Sequence, residues 1–146
     1  MVDELDREII EQLIKNGRKS SKELAKDLHV DSSTVRRRVH RLIEEGVIYI
    51  IALPVVSKAG FPIQAIVGLN VDTREIEHNL QILNEIPECM FVSVTTGRFN
   101  IMIILWCRST ADINKLMNKI LATTRGVKGY ETFLCMNVAK TVNHFE

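Results

Sequence analysis

Apolar residues recur at helical spacing through the first third of the chain. Ile9, Ile10, Leu13 and Ile14 make one stripe, which predicts a helix from about Leu5 to Asn16. Asp3 can cap it, Glu4 and Asp6 suit its positive N-terminal end, and Gly17 ends it. Ser20-Ser21-Lys22-Glu23 has the spacing of a capping box and opens a second helix with Leu24, Ala25 and Leu28 inward. His29-Val30 then makes a short turn. Val35, Val39, Leu42 and Ile43 fall at i, i+4, i+7 and i+8, so a third helix runs from Asp31 or Ser32 to about Glu44, with Gly46 as its stop. Val47 to Ile51 reads as a strand ending before Pro54. Three helices and a strand are the order of a winged helix-turn-helix.

The second half has a different rhythm. Pro54, Gly60 and Pro62 mark residues 53–62 as a linker. Ile63 to Val71 predicts a strand, and Thr73 can cap a helix bearing Ile76, Leu80 and Leu83. Met90 to Thr96 and Ile101 to Cys107 predict two strands around a Gly97-Arg98-Phe99-Asn100 turn. Ser109 or Thr110 opens a helix with Ile113, Leu116, Met117, Ile120 and Leu121. Gly126 and Gly129 break the chain, and Tyr130 to Val138 is the last strand. The order βαββαβ is that of a ferredoxin-like unit, so the fold class is α+β. The expected domains are 1–52, DNA-binding, and 63–146, regulatory. The strands read as near-continuous apolar runs, so the sheet face away from the helices should also be covered. A second copy would cover it, giving a homodimer.

Charge changes this picture only locally. Net charge is +1 over 146 residues. Residues 36–41 nevertheless hold four arginines and no acid, and residues 3–11 hold five acids against one arginine. A basic face suffices for docking on phosphates, because screening confines each charge to about 10 Å. Cys89, Cys107 and Cys135 share no Cys-x-x-Cys spacing and read as buried free thiols of a reducing compartment. His29, His40, His78 and His144 are scattered, without metal-ligand spacing. No apolar run is long enough to span a membrane, and the acidic N-terminus is unlike a targeting signal, so the expected setting is the cytoplasm.

The third helix carries the candidate chemistry. Ser32, Ser33 and Thr34 can donate to phosphates or base edges, and Arg36, Arg37 and Arg41 can fork onto guanine or phosphate, with His40 beside them. Helical periodicity makes Arg37 and Arg41 the groove-facing pair and places Arg36 and Arg38 at the shoulders. The turn Thr95-Thr96-Gly97-Arg98-Phe99-Asn100 is a second candidate, because glycine permits close ligand approach and turn amides can hold a carboxylate. No nucleophile elbow, phosphate loop or His-Glu-x-x-His motif is present, and no cofactor is expected. Asp72, Glu75 and Glu77 fit a helix start.

Leu5-Asp6 with Ile9-Ile10, Gly17-Arg18, Glu23-Leu24-Ala25, Val35-x-x-Arg38-Val39-x-x-Leu42 and Glu45-Gly46-Val47-Ile48 resemble the N-terminal domain of the leucine-responsive/asparagine regulator (Lrp/AsnC) family. Thr96-Gly97-x-Phe99-Asn100 and Arg125-Gly126-Val127, followed by Thr132, resemble its C-terminal domain. The resemblance implies a transcription regulator that binds double-stranded DNA, its own promoter included. It implies dimers built through the C-terminal domains and often assembled into octamers. It also implies a small effector, commonly an amino acid, near Thr96, Gly97, Arg98, Phe99, Asn100 and Thr132. Asn100 stands where the family usually has aspartate, and Arg98 follows the glycine. Asparagine offers an effector's ammonium only a neutral partner.

Two other readings share the scaffold. A low-specificity architectural DNA-binding protein would use the same helix. A tetrapyrrole-processing enzyme would want histidines and arginines gathered in the second domain, yet residues 61–143 contain only His78.

Overall fold

The computed structural model describes residues 1–55 and 58–138. Residues 56 and 57 of the expected linker and residues 139–146 of the expected second domain lie outside the described residues. The chain forms two compact units, Met1–Leu53 and a second beginning at Pro54.

The first unit holds α1 (Glu4–Lys15), α2 (Ser21–Asp27) and α3 (Ser32–Glu44). Two capping boxes fix the starts of α1 and α2. Asp3 and Asp6 exchange side-chain and backbone bonds, as do Ser20 and Glu23, so two orphan amides are satisfied at each end. Asp31 caps α3 through the amides of Ser33 and Thr34. His29, at φ 55°, turns the chain between α2 and α3. Ile9, Leu24, Val35 and Leu42 meet in a core with Ala25. The strand expected over Val47–Ile51 is not formed. A strand needs a ladder partner, and the described residues of this unit supply none. Val47, Tyr49, Ile50 and Ile51 are exposed instead.

The second unit holds β1 (Ile63–Val71), α4 (Ile76–Asn84), β2 (Cys89–Val94), β3 (Ile101–Cys107), α5 (Thr110–Thr123) and β4 (Val127–Leu134). The sheet is antiparallel in the order β2-β3-β1-β4. Val67, Leu69, Ile101, Ile103 and Leu105 point to the helix side, where Leu83, Ile113, Leu116 and Ile120 cover them. The expected cap at Thr73 is replaced by Asp72, which caps a single 3-10 turn leading into α4. The last strand, expected over Tyr130–Val138, begins at Val127 and ends at Leu134, because a bulge opposite Asn70 and Val71 lets Gly129 join the ladder.

The register sets the other sheet face. Phe91 pairs with Ile104, Ile104 with Ile66, and Ile66 with Phe133. Opposed residues share a face, so these four side chains form one apolar row across the whole sheet. Phe91 and Phe133, at its two ends, are about half exposed. Among the described residues, no helix is long and apolar enough to cross a membrane.

Candidate functional site

The exposed side of α3 gathers five residues. Ser33, Thr34, Arg36, Arg37 and His40 line one surface recess of about 490 Å³. Ser33, Arg36, Arg37 and His40 are exposed, Ser32 and Thr34 half-buried. The apolar spine of Val35 and Leu42 fixes this orientation by turning the opposite stripe outward. His40 lies 3.6 Å from Glu44, one turn along. Arg36 and Arg37 have no acidic partner among the described residues, so their guanidinium groups are available to an external anion.

Arg41 departs from the sequence expectation. It does not join the recess but turns back onto Asp6, a fully buried carboxylate at the start of α1. Arg38 does the same, pairing with Asp3 and, at 3.1 Å, with Asp6. Burial raises the Asp6 pKa. The amide of Asp3 and the guanidinium groups of Arg38 and Arg41 outweigh it and hold the carboxyl below its usual range. Asp3, bound chiefly by Arg38, falls to about 2. The physical reason is desolvation: a buried charge must be paired, and Arg38 and Arg41, one turn apart, reach it from α3. The acidic segment 3–11 and the basic segment 36–41 lie far apart in the chain. Their opposite charge is the signal in the sequence for this pairing.

The Gly97 turn is built on three devices. Gly97 has φ 108°, a region L side chains rarely adopt. The Thr95 hydroxyl donates to the Phe99 carbonyl at 2.8 Å and closes the loop. The Asn100 amide accepts from the Val71 N–H at 2.9 Å and donates to the Val71 carbonyl at 2.8 Å. Asn100 therefore ties the turn to β1. Thr96, Gly97 and Arg98 remain exposed.

Phe99 has a seat that the turn motif alone does not reveal. A Cβ built on Gly68 would overlap its ring, so glycine at 68 makes room for it. Gly68 pairs with Met102 and Glu131, which puts Phe99 on the sheet face away from the helices. A lone glycine inside a strand is the sequence signal for such an approach. Arg98 lies over the Phe99 ring, 5.3 Å from its centroid, and pairs with Glu131. Its charge is balanced from β4. Thr132 does not join this group. It pairs with Val67 and so faces the helix side, where its hydroxyl is buried without a partner among the described residues.

Two of the three thiols are quiet. Burial pushes Cys89 up to about 12 and raises Cys107 as well, so both stay protonated at neutral pH. No cluster of metal-ligating side chains occurs among the described residues.

Comparison with known proteins adds an independent line. A model described as winged helix-turn-helix DNA-binding matches residues 2–49. One described as the Lrp/AsnC ligand binding domain matches residues 64–143. An uncharacterised HTH-type transcriptional regulator of Pyrococcus abyssi is 31% identical over 140 residues, covering 95% of this chain and 89% of its own. The structure of Escherichia coli AsnC superposes with a TM-score of 0.78 at 25% identity, covering 98% of this chain and 97% of that one. A Neisseria meningitidis transcriptional regulator in complex with L-Met superposes with a TM-score of 0.82 at 18% identity, covering 100% and 97%.

Proposed function

The chain belongs to the Lrp/AsnC family, and from that premise we propose that its α3 recess reads DNA while a small effector at the Gly97 turn tunes the binding. The chain is a transcription regulator with a helix-turn-helix DNA-binding part and an Lrp/AsnC ligand-binding part. In the proposed division, residues 1–52 contact DNA and residues 63–146 sense and dimerise.

The observation that carries the DNA reading is the recess itself. Ser33, Thr34, Arg36, Arg37 and His40 converge there, and Arg36 and Arg37 have no competing acid among the described residues. Ser32 sits at the helix start, where its hydroxyl can donate to a phosphate, while Asp31 takes the amides of Ser33 and Thr34. Arg41 belongs to this interface only if phosphate displaces it from Asp6. Fluorescence anisotropy with a fragment of the chain's own promoter tests the assignment. Arg37→Ala should weaken binding and lower the salt slope by about 1. Unchanged affinity and slope would remove Arg37 from the interface.

The effector reading draws on the Neisseria regulator seen with L-Met, a protein of the same fold. In this chain the available groups at the turn are the exposed amides around Gly97 and the Phe99 ring, with Glu131 near Arg98. Glu131 supplies the carboxylate that Asn100 does not once the effector displaces Arg98 from it. An amino acid would place its carboxylate on the turn amides and its ammonium toward Glu131. Each of the twenty amino acids in a thermal-shift series checks this, since a ligand at 100 times its Kd stabilises by about 2.7 kcal/mol. Silence from all twenty would end the amino-acid model.

A homodimer, with octamers as a higher state, completes the proposal. The apolar row from Phe91 to Phe133 supports it. Two α3 helices in such a dimer read half-sites about 34 Å apart, or a multiple of that.

A further inference from the structure

A second cavity lies in the ligand-binding unit, at the far end of β3 from the Gly97 turn. It measures about 680 Å³, within the size range of small-molecule sites. The seven residues of β3 put roughly 20 Å between the two places. We propose that this cavity is a separate binding site for a small aromatic monocarboxylate.

Three features point to that chemistry. The first is an aromatic and apolar lining. Phe61 and Trp106 contribute rings, and Met90 and Leu116 contribute apolar surface. The second is an orphaned donor. The Trp106 indole N–H is buried and has no acceptor among the described residues. Buried donors are almost always paired, so an acceptor brought by a ligand would satisfy it. The third is charge. Lys115 and Lys119 lie one turn apart on α5, and Arg108 stands over the Phe61 ring at 5.6 Å. Against these three cations stand Glu88 and Asp112. Asp112 is already committed, accepting the Ser109 hydroxyl at 2.8 Å within the α5 cap. The lining thus keeps an excess of one positive charge, which suits a monoanion. Lys115 and Lys119 have no acidic partner within salt-bridge distance among the described residues.

The chain contains a single tryptophan, so the indole signal comes from Trp106. The full-length protein is titrated with 3-phenylpropionate at low salt. Tryptophan fluorescence and the one indole N–H resonance are followed. The neutral isostere 3-phenylpropanamide and L-phenylalanine serve as parallel arms. Saturable change is expected, with a downfield shift of the indole proton and about tenfold weaker binding of the amide. The double variant Lys115→Gln, Lys119→Gln should weaken the acid by about tenfold and leave the amide unchanged. Both lysines are exposed, and an unaltered circular dichroism spectrum checks that the variant folds. A Gly97→Ala variant should bind the acid as the native chain does, which separates this site from the turn. No saturable change overturns the site. Equal binding of acid and amide overturns the anion assignment, and tighter binding of L-phenylalanine overturns the monoanion.

Discussion

Asp6 is the residue on which the DNA-binding unit turns. It is fully buried, completes the capping box of α1 and receives two arginines from α3. Asp6→Ala leaves Arg41 without its anion and Arg38 with Asp3 alone, at a cost of about 3 kcal/mol, because the arginines are partly exposed and recover some hydration. Chemical denaturation of the variant measures it. The pH dependence follows from sign. The Asp6 and Asp3 carboxyls are depressed in the folded chain, so their contribution is fully present above the unfolded value of about 4. It is lost as pH falls toward 2, where Asp3 protonates. Asp6→Asn should therefore flatten acid unfolding below about pH 4. An identical acid transition in the variant would sink this account. Freed from Asp6, Arg41 can also reach phosphate, so the same variant should bind DNA with a steeper salt dependence than the native chain.

At the scale of elements, the β2–β3 hairpin end depends on the strand beside it. Gly68 leaves room for Phe99, Asn100 clamps Val71, and Glu131 on β4 holds Arg98. Gly68→Ala forces the ring off its seat, since the added carbon would overlap it. A loss of about 1–3 kcal/mol is expected, as for other overpacked sites. The resonances of residues 95–100 should move more than those of α4 or α5. A variant as stable as the native chain with an unmoved Phe99 ring would show that the ring is not seated there. Gly97→Ala acts differently. Space is open at that position, so the cost is backbone strain alone, about 1–3 kcal/mol.

For the whole molecule, the proposed dimer rests on the row Phe91, Ile104, Ile66 and Phe133. An exposed apolar band of this kind marks an association surface. The double variant Phe91→Asp, Phe133→Asp places two charges at the ends of the row without touching the helix-side core. Light scattering on the eluting protein should then show a monomer. Promoter affinity should fall with it, since two half-sites are no longer held together. A variant that stays dimeric would place the interface elsewhere.

Much of the fold is legible in the amino-acid order. Helical spacing and capping boxes announce α1, α2 and α3, because those signals act between residues three or four apart. The apolar runs and turn glycines imply the order βαββαβ for the same reason. The α3 recess is legible as far as Ser33, Thr34, Arg36, Arg37 and His40. The destination of Arg41 is not, because Asp6, 35 residues away, must first be buried before it can claim an arginine. The Val47–Ile51 strand fails because local propensity cannot supply a partner strand. Thr132 shares a family motif with Phe99, yet β-pairing alternates faces and sets them on opposite sides. Local sequence determined the elements and their caps, where the interacting groups are neighbours in the chain. Only tertiary structure decided which charges are spent inside, which ring rests on which glycine, and where a lone indole N–H is left facing no acceptor among the described residues.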